Sequence, residues 1–221
     1  MKKFVLIVAG GSGTRMGTDI PKQFLEICGK PILMHTIQVF YDFDPECELI
    51  LVLPEEQQEY WAGLCLKHSF TLPHRIVSGG ENRFNSVKNG LNLIDGEGIV
   101  FIHDGVRPLV SRLTIERCFH MAQKNGNAIP VLRVNESLRK QKGNQSVSVD
   151  RTLYLSVQTP QTFRSDQIIK AFEQDFDPAF TDDASVAEKA GFPIFMVEGN
   201  RENIKITTPE DLIIAEAFMN M

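Results

Sequence analysis

Along most of this chain, apolar runs rich in β-branched residues alternate with segments whose apolar positions recur at helical spacing. The runs at 3–8, 48–53, 74–77, 98–102 and 127–131 read as strands. The segments 31–41, 55–68, 83–94 and 111–125 read as helices between them. In the third helix Val87, Leu91 and Ile94 fall on one face. Ile99-Val100-Phe101-Ile102 is apolar without a break, which implies burial on both sides, as in a parallel sheet covered by helices. An α/β fold is expected, one domain over 1–221.

The rhythm breaks at 133–152, a polar stretch poor in core residues with Lys142-Gly143-Asn144 at its middle. A Gly-Asn pair between short alternating segments signals a β-hairpin. Such a hairpin buries little against its own domain, so it is either a surface loop or an arm that reaches a second subunit. The α/β pattern then resumes. The last helix opens Thr208-Pro209-Glu210-Asp211: a capping residue, a proline for the first turn and acids that suit the helix dipole.

Composition narrows the function classes. The 221 residues are 43% hydrophobic and 23% charged, and 28 acids against 23 bases give a formal net charge of -5. A nucleic-acid binder usually shows a basic face, which this balance disfavours. The apolar run after Met1-Lys2-Lys3 is too short for a signal peptide core or a membrane span, and a buried first strand explains it. Cys28, Cys47, Cys65 and Cys118 form no CxxC pair, so reduced thiols in the cytoplasm are expected rather than a zinc site or disulfides.

The candidate chemistry begins where the first strand ends, at Ala9-Gly10-Gly11-Ser12-Gly13-Thr14-Arg15-Met16-Gly17. Glycines there let backbone N–H groups approach an anion, at the sheet edge where α/β folds bind ligands. A Walker A loop requires a Gly-Lys-Ser/Thr ending that is missing here. A dinucleotide fingerprint requires G-x-G-x-x-G, and Gly17 comes one residue too late. A nucleotidyltransferase loop is the third reading, with Arg15 and Lys22 placing two cations beside a triphosphate. The plain alternative is two solvated loop residues.

That opening, continued by Pro21-Lys22-Gln23-Phe24-Leu25, resembles the methylerythritol phosphate cytidylyltransferase family. Further stretches match in order: Gly79 to Val87, His103 to Pro108, Gln158-Thr159-Pro160-Gln161, Thr181 to Ser185, and Val197 to Lys205. The resemblance spans the chain. It implies a Rossmann-like three-layer nucleotidyltransferase fold with a mostly parallel mixed sheet and a protruding β-hairpin dimerisation arm. It also implies transfer of CMP from CTP to a sugar-alcohol phosphate, with magnesium or another divalent cation.

Carried across, the family places Ala9, Gly10, Gly11, Gly80, Glu81 and Ser86 on the nucleotide. It places Asp104, Arg107, Ser137, Arg151, Thr159, Thr181 and Lys205 at the acceptor. Arg15, Lys22, Arg151 and Lys205 become the catalytic cations, Arg151 lying on the arm that crosses into a neighbouring subunit. Metal would sit on the CTP phosphates, with Asp104 reaching it through water. Ser86 also reads as a hydroxyl bonding its own helix start, Asp104 as a turn cap, and Thr181 as N-cap of a helix at 182–190. His103 is expected to be structural.

Two positions depart from the family pattern. Glu136-Ser137 stands where Asp-Thr is usual, and Gly105-Val106 where two alanines are common. The same chemistry on ribitol 5-phosphate is the nearest alternative. An NAD-dependent dehydrogenase is a more distant one, disfavoured by the glycine spacing.

Overall fold

A computed structural model of the chain describes residues 1–10 and 20–221. In the first half, strand β1 (Lys2–Val8) leads through the small pair β2 (Glu26–Ile27) and β3 (Lys30–Pro31) to helix α1 (Ile32–Phe43). Then follow β4 (Glu48–Leu53), α2 (Glu55–Lys67), β5 (Arg75–Ser78), α3 (Arg83–Leu91), β6 (Gly98–Asp104), α4 (Arg112–Asn125) and β7 (Asn127–Arg133). The second half holds β8 (Arg139–Lys142), β9 (Gln145–Ser148), β10 (Leu155–Val157), β11 (Gln161–Arg164) and α5 (Ser165–Ala171). It ends with α6 (Asp183–Lys189), β12 (Met196–Glu198) and α7 (Pro209–Met219).

The main sheet runs β10-β7-β11-β6-β1-β4-β5, with β12 on β7. β1 lies parallel to β4 and β6, so Val5 sits between Leu49 and Phe101. β5 extends the parallel part. β11 runs antiparallel to β6 and β7, and β10 antiparallel to β7. The sheet is therefore mixed, with its parallel half carrying the site.

Alternation along the strands explains the three layers. Val5, Ile7, Leu49, Leu51, Ile99 and Phe101 point one way, against Leu33 and Ile37 of α1, Trp61 of α2 and Ile115 of α4. Phe4, Leu6, Ile50, Val100 and Ile102 point the other way, against Val87 of α3, Ile168 of α5 and Val186 of α6. Both faces of the central strands are buried, as their unbroken apolar sequence requires.

Helix ends follow local chemistry. Ser111 Oγ accepts from the Thr114 N–H at 3.1 Å and starts α4. Gly126, at φ +100°, ends it with its N–H on the Ala122 carbonyl. At α7 the Thr208 N–H donates to the Asp211 carboxylate at 2.9 Å, and Pro209 is the first helical residue. α3 is shorter than its apolar spacing suggests. Its hydrogen bonding tightens after Leu91, where Leu93 and Ile94 bond to carbonyls only three residues back, and Gly96 at φ +93° turns the chain into β6. Ile94 still packs on the core, from a turn.

β8 and β9 form a separate two-stranded hairpin that turns at Gly143, φ +58°, and every residue of both strands is exposed. Among the described residues no helix is long and apolar enough to cross a membrane.

Gly90 lets α3 approach the sheet. A Cβ there would lie 2.7 Å from Leu6 Cδ2 and 3.1 Å from Val52 Cγ2. Gly90→Ala gains about 1 kcal/mol of helix propensity but overpacks a buried contact, at a cost of about 1–3 kcal/mol. A net loss is expected, read as a lower urea midpoint at an unchanged slope.

Candidate active site

β1, β4 and β6 end on the same edge of the sheet, and a cavity of about 270 Å³ opens there. It is lined by Ala9 and Gly10 after β1, Gly80 to Arg83 at the start of α3, Asp104 at the tip of β6, and Lys22 and Lys205. Residues from five separate stretches of sequence thus share one cleft. Gly11 and Arg15 lie outside the described residues.

Near the exit of β1, a short 3₁₀ turn, Lys22–Phe24, brings Lys22 to the cavity. Gln23 anchors that turn. Its Nε2 donates to the Ala9 carbonyl and to Gln57 Oε1, both at 2.7 Å. Opposite, Ser86 Oγ accepts the Gly80 N–H at 3.0 Å and donates to the Asn82 carbonyl at 2.9 Å. The helix-start role expected for this hydroxyl is therefore real, and it shapes the cavity wall as well. A Cβ on Gly80 would fall 2.5 Å from the Asn85 Cβ, so only glycine fits that wall. Glu81 also lines the cavity.

Charge organises the other side. Asp104 Oδ2 accepts from Arg107 Nε at 3.1 Å and from Lys205 Nζ at 3.0 Å. Burial alone would raise the Asp104 carboxyl, but Lys205, Arg83 and Arg107 outweigh it and hold the group well below the usual carboxylate range. The turn-cap reading of Asp104 is too small: its carbonyl does accept the Arg107 N–H, yet its carboxylate gathers cations. Arg107 Nη1 also donates to the Asn203 carbonyl at 2.8 Å. Arg83 makes two bonds to the fully buried Asp183, at 2.7 and 2.6 Å. Burial works against the Arg83 guanidinium, but Asp183 overcomes it and raises the group above its ordinary value.

Two expected positions are corrected. Thr181 is not an N-cap: Asp182 is, accepting the Ser185 N–H at 2.9 Å, because its carboxylate reaches the third residue on. Thr181 instead borders a smaller cavity walled by Phe84, Phe176 and Phe180. Thr159 does not face the cleft. Its buried hydroxyl accepts the Asp104 N–H at 3.1 Å and meets His103 Nδ1 at 3.0 Å. Ser137 and Arg151 are exposed on the arm, where Arg151 donates to the Asn135 carbonyl and takes no part in lining the cleft of its own chain. His103, expected to be structural, is wholly buried. Burial, its largest influence, pushes it down to about 4 and keeps the ring neutral.

Arg83, Gln23, Asn82 and Asp183 escaped the sequence reading. Arg83 had a usable signal, since a cation in the first turn of a helix opposes the dipole and needs a partner elsewhere. Among the described residues, no group of three or more His, Cys, Asp or Glu side chains is arranged to hold a metal ion. Asp104 already shares its Oδ2 between two cations. A magnesium ion caged by protein does not fit this donor set, whereas one carried chiefly by ligand phosphates does.

The sequence profile of IspD, 2-C-methyl-D-erythritol 4-phosphate cytidylyltransferase, matches residues 3–221. The chain belongs to this family. A relative of that name from Bacteroides fragilis is 54% identical over 219 residues, spanning 99% of this chain and 100% of its own. Another, from Clostridium botulinum, is 41% identical over 220 residues, 97% of this chain and 98% of its own. The crystal structure of 2-C-methyl-D-erythritol 4-phosphate cytidylyltransferase from Thermus thermophilus shares 31% identity and superposes with a TM-score of 0.83 over the full length of both. Family membership makes the chain a nucleotidyltransferase and sets aside the dehydrogenase.

The Arg83–Asp183 pair ties the cleft to α6. Asp183→Asn leaves the half-buried Arg83 guanidinium, 33% exposed, without its nearest counter-charge and should cost less than the about 3–5 kcal/mol of breaking a fully buried pair. Urea unfolding against Asp175→Asn, a solvent-facing control, measures it.

Proposed function

We propose that this enzyme transfers the cytidylyl group of CTP to 2-C-methyl-D-erythritol 4-phosphate in the non-mevalonate route to isoprenoids, acting in the cytoplasm. The products are 4-diphosphocytidyl-2-C-methyl-D-erythritol and pyrophosphate. The observation that carries this reading is the meeting of Lys22 and Lys205 in one cleft of a chain of this family.

The narrow wall of Ala9, Gly10, Gly80 and Ser86 suits a pyrimidine read by backbone groups and one hydroxyl. The acceptor's phosphate monoester is largely dianionic at neutral pH and needs no general base. One of its oxygens attacks the α-phosphorus in line, a P–O bond forms, and the bond to pyrophosphate breaks. Lys22, with Arg15, offsets charge growing on the triphosphate, while Lys205 and Arg107 orient the acceptor. Magnesium, carried by the triphosphate with Asp104 reaching it through water, would neutralise phosphate charge. Catalysis here is positioning and charge.

The arm supports a shared site. An isolated two-stranded hairpin is at best marginal in water, and Leu153, Tyr154, Leu155 and Val157 beside it are exposed. In the reading advanced here, a homodimer covers this strip and Arg151 of one copy completes the acceptor side of the other.

With CTP, magnesium and each acceptor in parallel, product mass should identify the methylerythritol adduct; preference for ribitol 5-phosphate would overturn the substrate. Lys22→Ala should lower kcat by about 100-fold or more while the protein stays folded by circular dichroism. Coexpressed Lys22→Ala and Arg151→Ala chains should regain turnover that neither shows alone, since mixed dimers contain one intact site. No recovery, with mixed dimers present by mass, would remove the shared site.

A further inference from the structure

His103 takes no part in the chemistry above, yet its surroundings fix both the place and the tautomer of its ring. It is the penultimate residue of β6 and wholly buried. Phe40 meets its ring edge-on, with centroids 4.9 Å apart, and fixes the ring plane. Nε2 lies 3.0 Å from the Arg107 carbonyl. A carbonyl only accepts, so Nε2 carries the proton. Nδ1 is then a bare acceptor, and the Thr159 hydroxyl at 3.0 Å donates to it. With its proton spent there, Thr159 Oγ1 turns a lone pair to the Asp104 N–H at 3.1 Å. One proton arrangement satisfies every member of this chain of bonds.

The bonds grip the two ends of one turn: the N–H of Asp104 and the carbonyl of Arg107. Between them the Gly105 carbonyl accepts from Thr36 Oγ1 at 3.1 Å, and the Gly105 N–H reaches the Val8 carbonyl. The turn's two functional side chains meet at 3.1 Å, and Asp104 holds Lys205 at 3.0 Å. We propose that His103, as the Nε2–H tautomer, is a positioning residue for the acceptor half of the site. It acts through Thr159 and the Arg107 carbonyl to set Asp104, Arg107 and, beyond them, Lys205. The inference rests on the assignment of those three residues to the acceptor.

Each amide replacement retains one of the two bonds. In His103→Asn a carbonyl remains near Thr159 but nothing reaches Arg107; in His103→Gln an N–H reaches Arg107 but no acceptor faces Thr159. Both variants should bind CTP without magnesium like wild type by calorimetry. Their kcat/KM for the methylerythritol acceptor should fall about 100-fold, as expected for a misplaced reacting group, with KM for that acceptor raised. Thr159→Val should reproduce the loss and Thr159→Ser should restore turnover.

In the wild-type protein, a long-range proton–nitrogen spectrum should show His103 protonated at Nε2 and bare at Nδ1. The opposite tautomer overturns the proposal, and so do folded variants with wild-type kcat and acceptor KM. An equal loss of CTP affinity also overturns it, assigning His103 to general packing. Should the variants not fold, the wild-type spectrum decides. If wild-type protein fails to turn over the methylerythritol acceptor, the proposed function fails, while the spectrum still tests the positioning bonds.

Discussion

Asp104 keeps its negative charge where water barely reaches, and it can do so because one nearby cation and two from distant parts of the chain surround it. Arg83 comes from the start of α3, Arg107 from the turn after β6, and Lys205 from the segment before α7. Without the carboxylate those cations would repel one another across a small cleft; without them the carboxylate would take up a proton on burial. The cluster is thus mutual. It also differs from member to member. Arg83 is bound twice to Asp183, and Arg107 is tied to the Asn203 carbonyl as well as to Asp104. Lys205 has 43% of its side chain exposed and is the member best placed to exchange a carboxylate for a phosphate.

The fold makes this possible because parallel strands end together. β1, β4 and β6 run side by side, so Ala9 and Asp104 reach the same edge although nearly a hundred residues separate them. The segments that follow β1, β5 and β6 then have different tasks. After β1 the chain returns through the Lys22 turn, pinned to the Ala9 carbonyl by Gln23. After β5 it enters the Gly80–Ser86 wall. After β6 it makes the Asp104–Arg107 turn. The sheet supplies the rigidity and the exits supply the chemistry, which is why binding sites collect at this edge.

The central strands and their helices were legible in the sequence because their periods are unambiguous: β4 falls on the expected 48–53 and α2 lacks only one expected residue. Glycine spacing disfavours a dinucleotide fold. Roles that depend on which way a hydroxyl faces were not legible. Thr159 sits in a motif that reads as acceptor-binding, yet its hydroxyl turns inward, because the Asp104 N–H at the end of β6 would otherwise lack an acceptor. Thr181 yielded its expected cap to Asp182, one residue on. Pairings across long separations were equally hidden: nothing local to Arg83 announces Asp183, a hundred residues away.

The arm poses the remaining physical problem. Folding fixes its backbone at a cost of about 1–2 kcal/mol per residue, and β8 and β9 bury little in return, every residue being exposed. Its base adds Leu153, 79% exposed, and Tyr154, 48% exposed, where a lone chain would be expected to bury them. Arg151 stands between hairpin and strip, bonded only to a backbone carbonyl of its own arm. In the proposed homodimer a second copy would answer all three points with one contact: apolar cover for the strip, a support for the hairpin, and a phosphate-bearing cleft within reach of a guanidinium. The acceptor half would then be assembled from a buried, neutral-histidine-braced turn in one chain and an exposed arginine from the next, so that association becomes part of building the site.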